Sequence, residues 1–145
     1  MTEDNELEIP SEKSNILTVT VKSFSYRRGI PYDASGNGGG FVFDCRVLNN
    51  PGRYDEYKNL TGKDKAVEDF LLNNSHVSAF MDLTEELVAQ SVHEYIQRNY
   101  THLEVNFGCT GGQHRSVYCV EVMAMFLKEN FPQVNVEAKH LELEK

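Results

Sequence analysis

Between residues 108 and 116 the chain reads Gly108-Cys109-Thr110-Gly111-Gly112-Gln113-His114-Arg115-Ser116. A thiol, two hydroxyls, an imidazole and a guanidinium fall within one glycine-bounded turn. Arg115 offers a planar fork that fits an oxyanion through two parallel hydrogen bonds, and His114, Thr110 and Ser116 add further donors. Gly111 and Gly112 let backbone amides approach a ligand closely. A β-like run, Leu103 to Phe107, precedes the turn and a helical run, Val117 to Leu127, follows it. Free N–H groups and the positive end of a helix dipole then meet at one place, which suits a phosphate or another compact anion.

The spacing carries a second, chemically distinct reading. Cys109-x5-Arg115 followed by Ser116 is the phosphate loop of cysteine-dependent phosphatases, in which a thiolate attacks phosphorus while amides and the arginine hold the oxygens. Such chemistry needs an acid for the leaving group. Asp33 and Asp44 are the candidates, and nothing in the sequence places either. Gly108 also stands where those phosphatases usually carry histidine. If the chain were a phosphatase, Cys109 and Arg115 would be its catalytic pair. In the other reading Cys109 packs at a strand end and the turn binds its anion unreactively. The residues alone leave both open, and we weigh binding above catalysis, with no catalytic residue assigned.

The elements that position the turn follow from periodicity. Residues 1–15 are polar and acidic and are expected to form a flexible tail, with residues 16–145 as a single domain. Ile16 to Val21 reads as a strand, followed by a loop through Arg27, Arg28, Gly29 and Pro31. Ser35 to Gly40 is glycine-rich and expected to be a connector. Phe41 to Val47 reads as a second strand with Asp44 and Arg46 on one face. Asn49 to Gly52 is a turn and Arg53 to Asn59 a loop. Helices are expected from about Gly62 to Leu72, with Thr61 and Asp64 as capping box, and from about Val77 to Asn99. Val77, Phe80, Met81, Leu83, Leu87, Val88, Val92, Tyr95 and Ile96 form the apolar spacing of the second. Val134 to Ala138 is a last strand and His140 to Lys145 a charged tail. Strands alternating with helices imply an α/β fold with a largely parallel sheet and flanking helices. Ligands of such sheets sit beyond the carboxyl ends of the strands, so Arg27, Arg28, Asp44 and Arg46 should gather near Cys109 to Ser116.

Composition sets the outer limits. The 145 residues carry 14 basic and 22 acidic side chains, a net charge of −8. That balance does not mark a general nucleic-acid binder, although a local basic patch around Arg27 and Arg28 remains compatible with RNA contacts. Three cysteines, Cys45, Cys109 and Cys119, occur without a CxxC pair, and the histidines are scattered. No disulfide framework, metal site or bound cofactor is expected, and a reducing cytoplasm is the expected compartment. No apolar run reaches membrane length and no signal peptide opens the chain, so no membrane association is expected.

The long turn motif, extended through Val117-Tyr118, resembles the C-terminal domain of the RapZ family, described as RNase adapter or nucleotide-binding P-loop proteins. The likeness continues in Ser23-Phe24, Gly29-Ile30-Pro31, Asp33-Ala34, Phe43-Asp44-Cys45-Arg46, Asn50-Pro51, Leu60-Thr61-Gly62-Lys63-Asp64 and His140-Leu141-Glu142, covering about Leu17 to Glu142. The resemblance implies a domain similar to the sugar-phosphate-binding subdomain of phosphofructokinases. It implies a homodimer, binding of an amino-sugar phosphate such as glucosamine-6-phosphate, and presentation of a regulatory RNA to an RNase. Asp44, Arg46, Cys109, Thr110, Gly111, His114 and Arg115 would line the pocket, beside Gly112 and Ser116 of the turn. Family members begin with a Walker-type ATPase domain that has no counterpart here, so a separate ATPase or kinase-like partner is expected and ATP hydrolysis is not carried over. The glycine insert Ser35 to Gly40 departs from the family's compact loop. The acidic ending Leu141-Glu142-Leu143-Glu144-Lys145 departs from its basic RNA-binding tail.

Overall fold

The computed structural model describes residues 16–36 and 39–144. The expected tail over residues 1–15, and Asn37 and Gly38 of the glycine insert, lie outside the described residues. Four strands, β1 (Thr18–Ser25), β2 (Gly40–Asp44), β3 (His102–Cys109) and β4 (Asn135–His140), form one sheet in the order β2-β3-β1-β4. Every pairing is parallel. Three helices complete the domain: α1 (Lys65–Asn74), α2 (Val77–Gln97) and α3 (Arg115–Asn130). The α/β architecture with a parallel sheet and flanking helices is therefore as the periodicity and the family resemblance both require.

Strand alternation divides the sheet into unlike faces. Val19 and Val21 of β1 and Leu103, Val105 and Phe107 of β3 join Val88, Val92, Val120, Met123 and Leu127 of α2 and α3 in one core. Each such side chain, fully buried, contributes about 1.5–3 kcal/mol relative to exposure. The intervening positions, Thr18, Thr20 and Lys22 on β1 and His102, Glu104 and Asn106 on β3, turn to the opposite, polar face. There Lys22 Nζ pairs with Glu104 Oε2 at 2.9 Å. Ile30 to Asp33, Gly36, Gly39 and Gly40 border this face.

Several boundaries differ from the expected ones, each for a nonlocal reason. β1 continues through Lys22–Ser25, where a loop was expected, because these residues pair with Asn106–Cys109. Their polar side chains are satisfied there: Ser23 bonds His140, and Ser25 Oγ donates to the Thr110 carbonyl at 2.6 Å. β2 ends at Asp44, and Cys45–Val47 forms a 3-10 turn capped by the Asp44 carboxylate, which accepts from the Arg46 N–H. Pro51–Arg53 and Asp55–Tyr57 are further 3-10 turns within the expected loop. α1 starts at Lys65 with Asp64 as N-cap, and Asp64 Oδ2 accepts from the Thr61 N–H at 2.7 Å, so the capping box is half formed and displaced. Leu83 and Leu87, expected on the apolar face of α2, are 65% and 50% exposed. His140, expected in a charged tail, ends β4 and is buried.

The connector before β2 is locally organised rather than featureless. Asp33 Oδ1 accepts from the Ser35 N–H at 2.9 Å and hydroxyl at 2.7 Å, and Oδ2 accepts from the Gly39 N–H at 2.6 Å. These bonds, the Ser35 hydroxyl foremost, hold the Asp33 carboxyl down to about 2 from its ordinary 3.8. A depressed carboxylate stabilises the folded loop at pH above its unfolded value and loses that effect as pH falls through the folded one. The Ser35 and Gly39 amide resonances should therefore titrate with a midpoint near 2. A midpoint at or above the ordinary value would show that the carboxylate does not organise this loop.

Candidate functional site

The turn from Cys109 to His114 joins the end of β3 to the start of α3, as the sequence pattern requires. Its backbone is pinned on both sides. The Cys109 carbonyl accepts from the Tyr26 N–H at 3.0 Å and the Thr110 carbonyl from Ser25 Oγ. Gly112 turns the chain with φ of 70°, a conformation costly to any residue with a Cβ. Gln113 Nε2 donates to the Lys58 and Leu60 carbonyls at 2.9 and 2.7 Å, and the Gly62 N–H donates to the Gln113 carbonyl at 3.0 Å. The segment 58–62 is thereby fastened to the turn from a distance in sequence that no local pattern reveals.

His114 occupies the N-cap of α3 without a side-chain capping bond, and no acidic residue lies in the first turn. Its Nε2–H donates instead to the Tyr57 carbonyl at 2.8 Å, which fixes the tautomer and leaves Nδ1 beside Gly52. The amide end of a 16-residue helix is thus uncapped and unneutralised. Arg115 is 5% exposed. Its guanidinium NH1 group donates to the Arg46 and Leu48 carbonyls at 3.2 and 3.0 Å, while Nε–H has no partner among the described residues. A buried, unpartnered donor on a cation is costly, and an oxyanion would satisfy it.

A cavity of about 200 Å³ opens at this place, lined by Arg27, Cys109, Thr110, Gly111, His114 and Arg115 together with Asn50, Gly52, Lys58 and Gln113. No carboxylate is among these lining residues. A Cβ on Gly111 would meet nothing within 4 Å, so its backbone faces open space. Cys109 is 2% exposed and its thiol donates to Ser116 Oγ at 3.2 Å. Ser116 is fully buried beneath the turn. Below it, burial pushes the Cys45 thiol well above its usual range, with Cys119 alongside.

The remaining residues singled out from the sequence are distributed around the cavity. Arg27 lines it, whereas Arg28 turns to Glu142, with which it pairs at 3.3 Å on the far side of Gly111. Gly112 packs against Glu142 and Ser25. Asp44 and Arg46 do not face the turn's cavity. Arg46 Nε and its NH2 group clasp the Asp44 carboxylate at 2.9 and 2.7 Å, and the guanidinium lies 3.8 Å over the Tyr26 ring. That clasp lowers the Asp44 carboxyl below its ordinary value. Arg46 contributes its carbonyl to Arg115 and lines an adjoining cavity. Asp33 belongs to the loop over the polar sheet face. Asn50, Gly52, Lys58 and Gln113 are wall residues not assigned to the site from sequence; the Asn50-Pro51-Gly52 turn was visible, but only tertiary packing places it beside His114.

A family model described as the RapZ C-terminal domain matches residues 17–144. Among curated relatives, a nucleotide-binding protein of Cereibacter sphaeroides is 39% identical over 130 residues, which are 89% of this chain and 40% of the relative. A nucleotide-binding protein of Bifidobacterium adolescentis is 39% identical over 126 residues, 87% of this chain and 39% of the relative. One of Pseudoalteromonas atlantica is 37% identical over 135 residues, 93% of this chain and 46% of the relative. The chain thus spans about 40% of the length of the first of these relatives. No helix among the described residues is long and apolar enough to cross a membrane.

Proposed function

The chain belongs to the RapZ C-terminal domain family, and from that premise we propose that it is a regulatory ligand-binding domain seating the phosphoryl group of a small molecule on the turn from Cys109 to Ser116. The observation that carries this reading is the buried Arg115 with an unsatisfied Nε–H at an uncapped helix start. The phosphate would take Arg115, the Gly111 and Gly112 amides and Thr110, with Arg27 and Lys58 at the mouth. An amino-sugar phosphate such as glucosamine-6-phosphate is the ligand we favour. Its ammonium would meet the amide side chains of Asn50 and Gln113, because no carboxylate lines the cavity.

Binding is favoured over turnover on the same geometry. A phosphatase needs an acid at the leaving oxygen, and neither Asp33 nor Asp44 lines the cavity. Presentation of RNA has less support: of its two proposed contacts, Arg28 is engaged by Glu142. Action together with an ATPase domain, and a homodimeric state, belong to the same proposal.

The test is a thermal-shift panel of glucosamine-6-phosphate, glucose 6-phosphate, inorganic phosphate, nucleotides and unphosphorylated glucosamine. At a hundredfold excess over its dissociation constant a true ligand stabilises by about 2.7 kcal/mol, or roughly 8 °C for a domain of this size. The expected order is amino-sugar phosphate, then sugar phosphate, then phosphate, with no shift for glucosamine. No shift with any phosphorylated compound would sink the reading.

A further inference from the structure

A second cavity of about 640 Å³ lies on the other side of Arg115. Arg46, Arg53 and Arg115 line it, with Asn50, Ser75 and His76, and again no carboxylate is among the lining residues. In a chain of net charge −8 a space of this size walled by three arginines and no acid is unusual. Ser75 and His76 immediately precede the first residue of α2, a 21-residue helix. Its N-cap His76 makes no side-chain capping bond, and its first turn contains no acid. The second cavity therefore repeats the features of the first: an uncapped start of a long helix, exposed cations and the same buried guanidinium. Arg115 and Asn50 belong to both walls.

We propose that the two cavities are the two seats of one ligand with two anionic ends, a bisphosphorylated sugar or polyol, with Arg115 between them. This rests on the reading of the Cys109–Ser116 turn as a phosphate seat. The turn's own cavity, about 200 Å³, falls short of the roughly 300–1,000 Å³ usual for small-molecule sites, whereas the two together lie inside that range. One phosphoryl group sits on the turn. The other sits at the start of α2, held by Arg53 and by Arg46, whose charge is shared with Asp44. Arg115, whose buried Nε–H has no partner among the described residues, lines both cavities.

Isothermal titration of the full chain with matched pairs tests this: glucose 1,6-bisphosphate against glucose 6-phosphate, and fructose 1,6-bisphosphate against fructose 6-phosphate. At least one bisphosphate should bind about tenfold or more tightly than its monophosphate, the gain of a second charge-assisted contact. Arg53 is exposed and makes no ion pair among the described residues, so Arg53→Ala should fold normally. It should erase the bisphosphate's gain and leave the monophosphate's affinity unchanged. If the monophosphates bind and neither bisphosphate binds more tightly, the two-seat inference fails while the turn reading stands. A gain that survives Arg53→Ala also overturns it. If no compound binds, the turn reading itself has failed and takes the inference with it.

Discussion

Replacing Arg115 by alanine is expected to abolish the response of the Gly111 and Gly112 amide resonances to inorganic phosphate and sugar phosphates. Two effects add. Among the described residues of the cavity wall the guanidinium is buried while Arg27 and Lys58 are exposed, and a charge-assisted bidentate contact with an oxyanion is worth about 3 kcal/mol, roughly two orders of magnitude in affinity. The same group also holds the carbonyls of Arg46 and Leu48, which shape the rim leading from β2. Losing those bonds should lower stability by about 1–3 kcal/mol. Arg27→Ala separates the two effects. Arg27 is exposed at the mouth of the cavity, so its removal should weaken phosphate binding and leave the melting temperature unchanged. Amide shifts that persist unaltered in Arg115→Ala would show that the anion, if bound, sits elsewhere.

Arg115 and its turn were legible in the sequence because the signal is local. Strand, glycine turn and helix succeed one another within a short stretch, and the chemistry-bearing residues lie in the turn itself. What surrounds the turn was not legible, because it is assembled by side-chain to backbone bonds between distant segments. Gln113 binds the Lys58 and Leu60 carbonyls, and His114 binds that of Tyr57. These bonds bring Lys58, Asn50 and Gly52 to the cavity without leaving any periodic trace. Asp44 and Arg46 read as a strand pair on one face, but a carboxylate beside an N–H two residues on favours capping a turn. Asp44 caps such a turn and clasps Arg46, and neither lines the turn's own cavity, whereas Arg46 lines the adjoining one. The hidden end of β1 has a similar cause. Lys22, Ser23 and Ser25 are polar, and only the partners Glu104, His140 and Thr110 make them acceptable in a central strand. His140 Nε2–H donates to Glu121 at 2.6 Å and Nδ1 bonds the Ser23 hydroxyl at 2.8 Å, and the chain is thereby drawn into the sheet at the end of β4.

Substituting histidine for Gly108 is expected to produce the largest loss of stability of any change at the turn's entrance. Histidine is the residue that cysteine-dependent phosphatases usually carry before their nucleophile, so the variant asks whether this turn could be converted toward one. Gly108 is buried in β3 directly opposite Phe24 of β1. A Cβ built on Gly108 collides with the edge of the Phe24 ring. That ring is 1% exposed and packs 4.9 Å from Tyr26, so it has no free direction in which to move. Overpacking and the burial of an imidazole without a partner together should cost about 4 kcal/mol, a large part of the roughly 5–15 kcal/mol that holds a domain folded. The melting temperature should fall by about 12 °C. Phe24→Ala alone removes a buried ring and should cost about 3–5 kcal/mol. Because the two side chains compete for one space, the double variant should lose less than the sum of the single ones by about 2 kcal/mol. Strict additivity, or an unchanged melting temperature in Gly108→His, would show that the ring does not fill the space a histidine needs. The expected coupling would mean that the likeness to a phosphatase loop stops at the spacing of Cys109 and Arg115, because the strand that presents the cysteine is packed too closely to carry the residue before it.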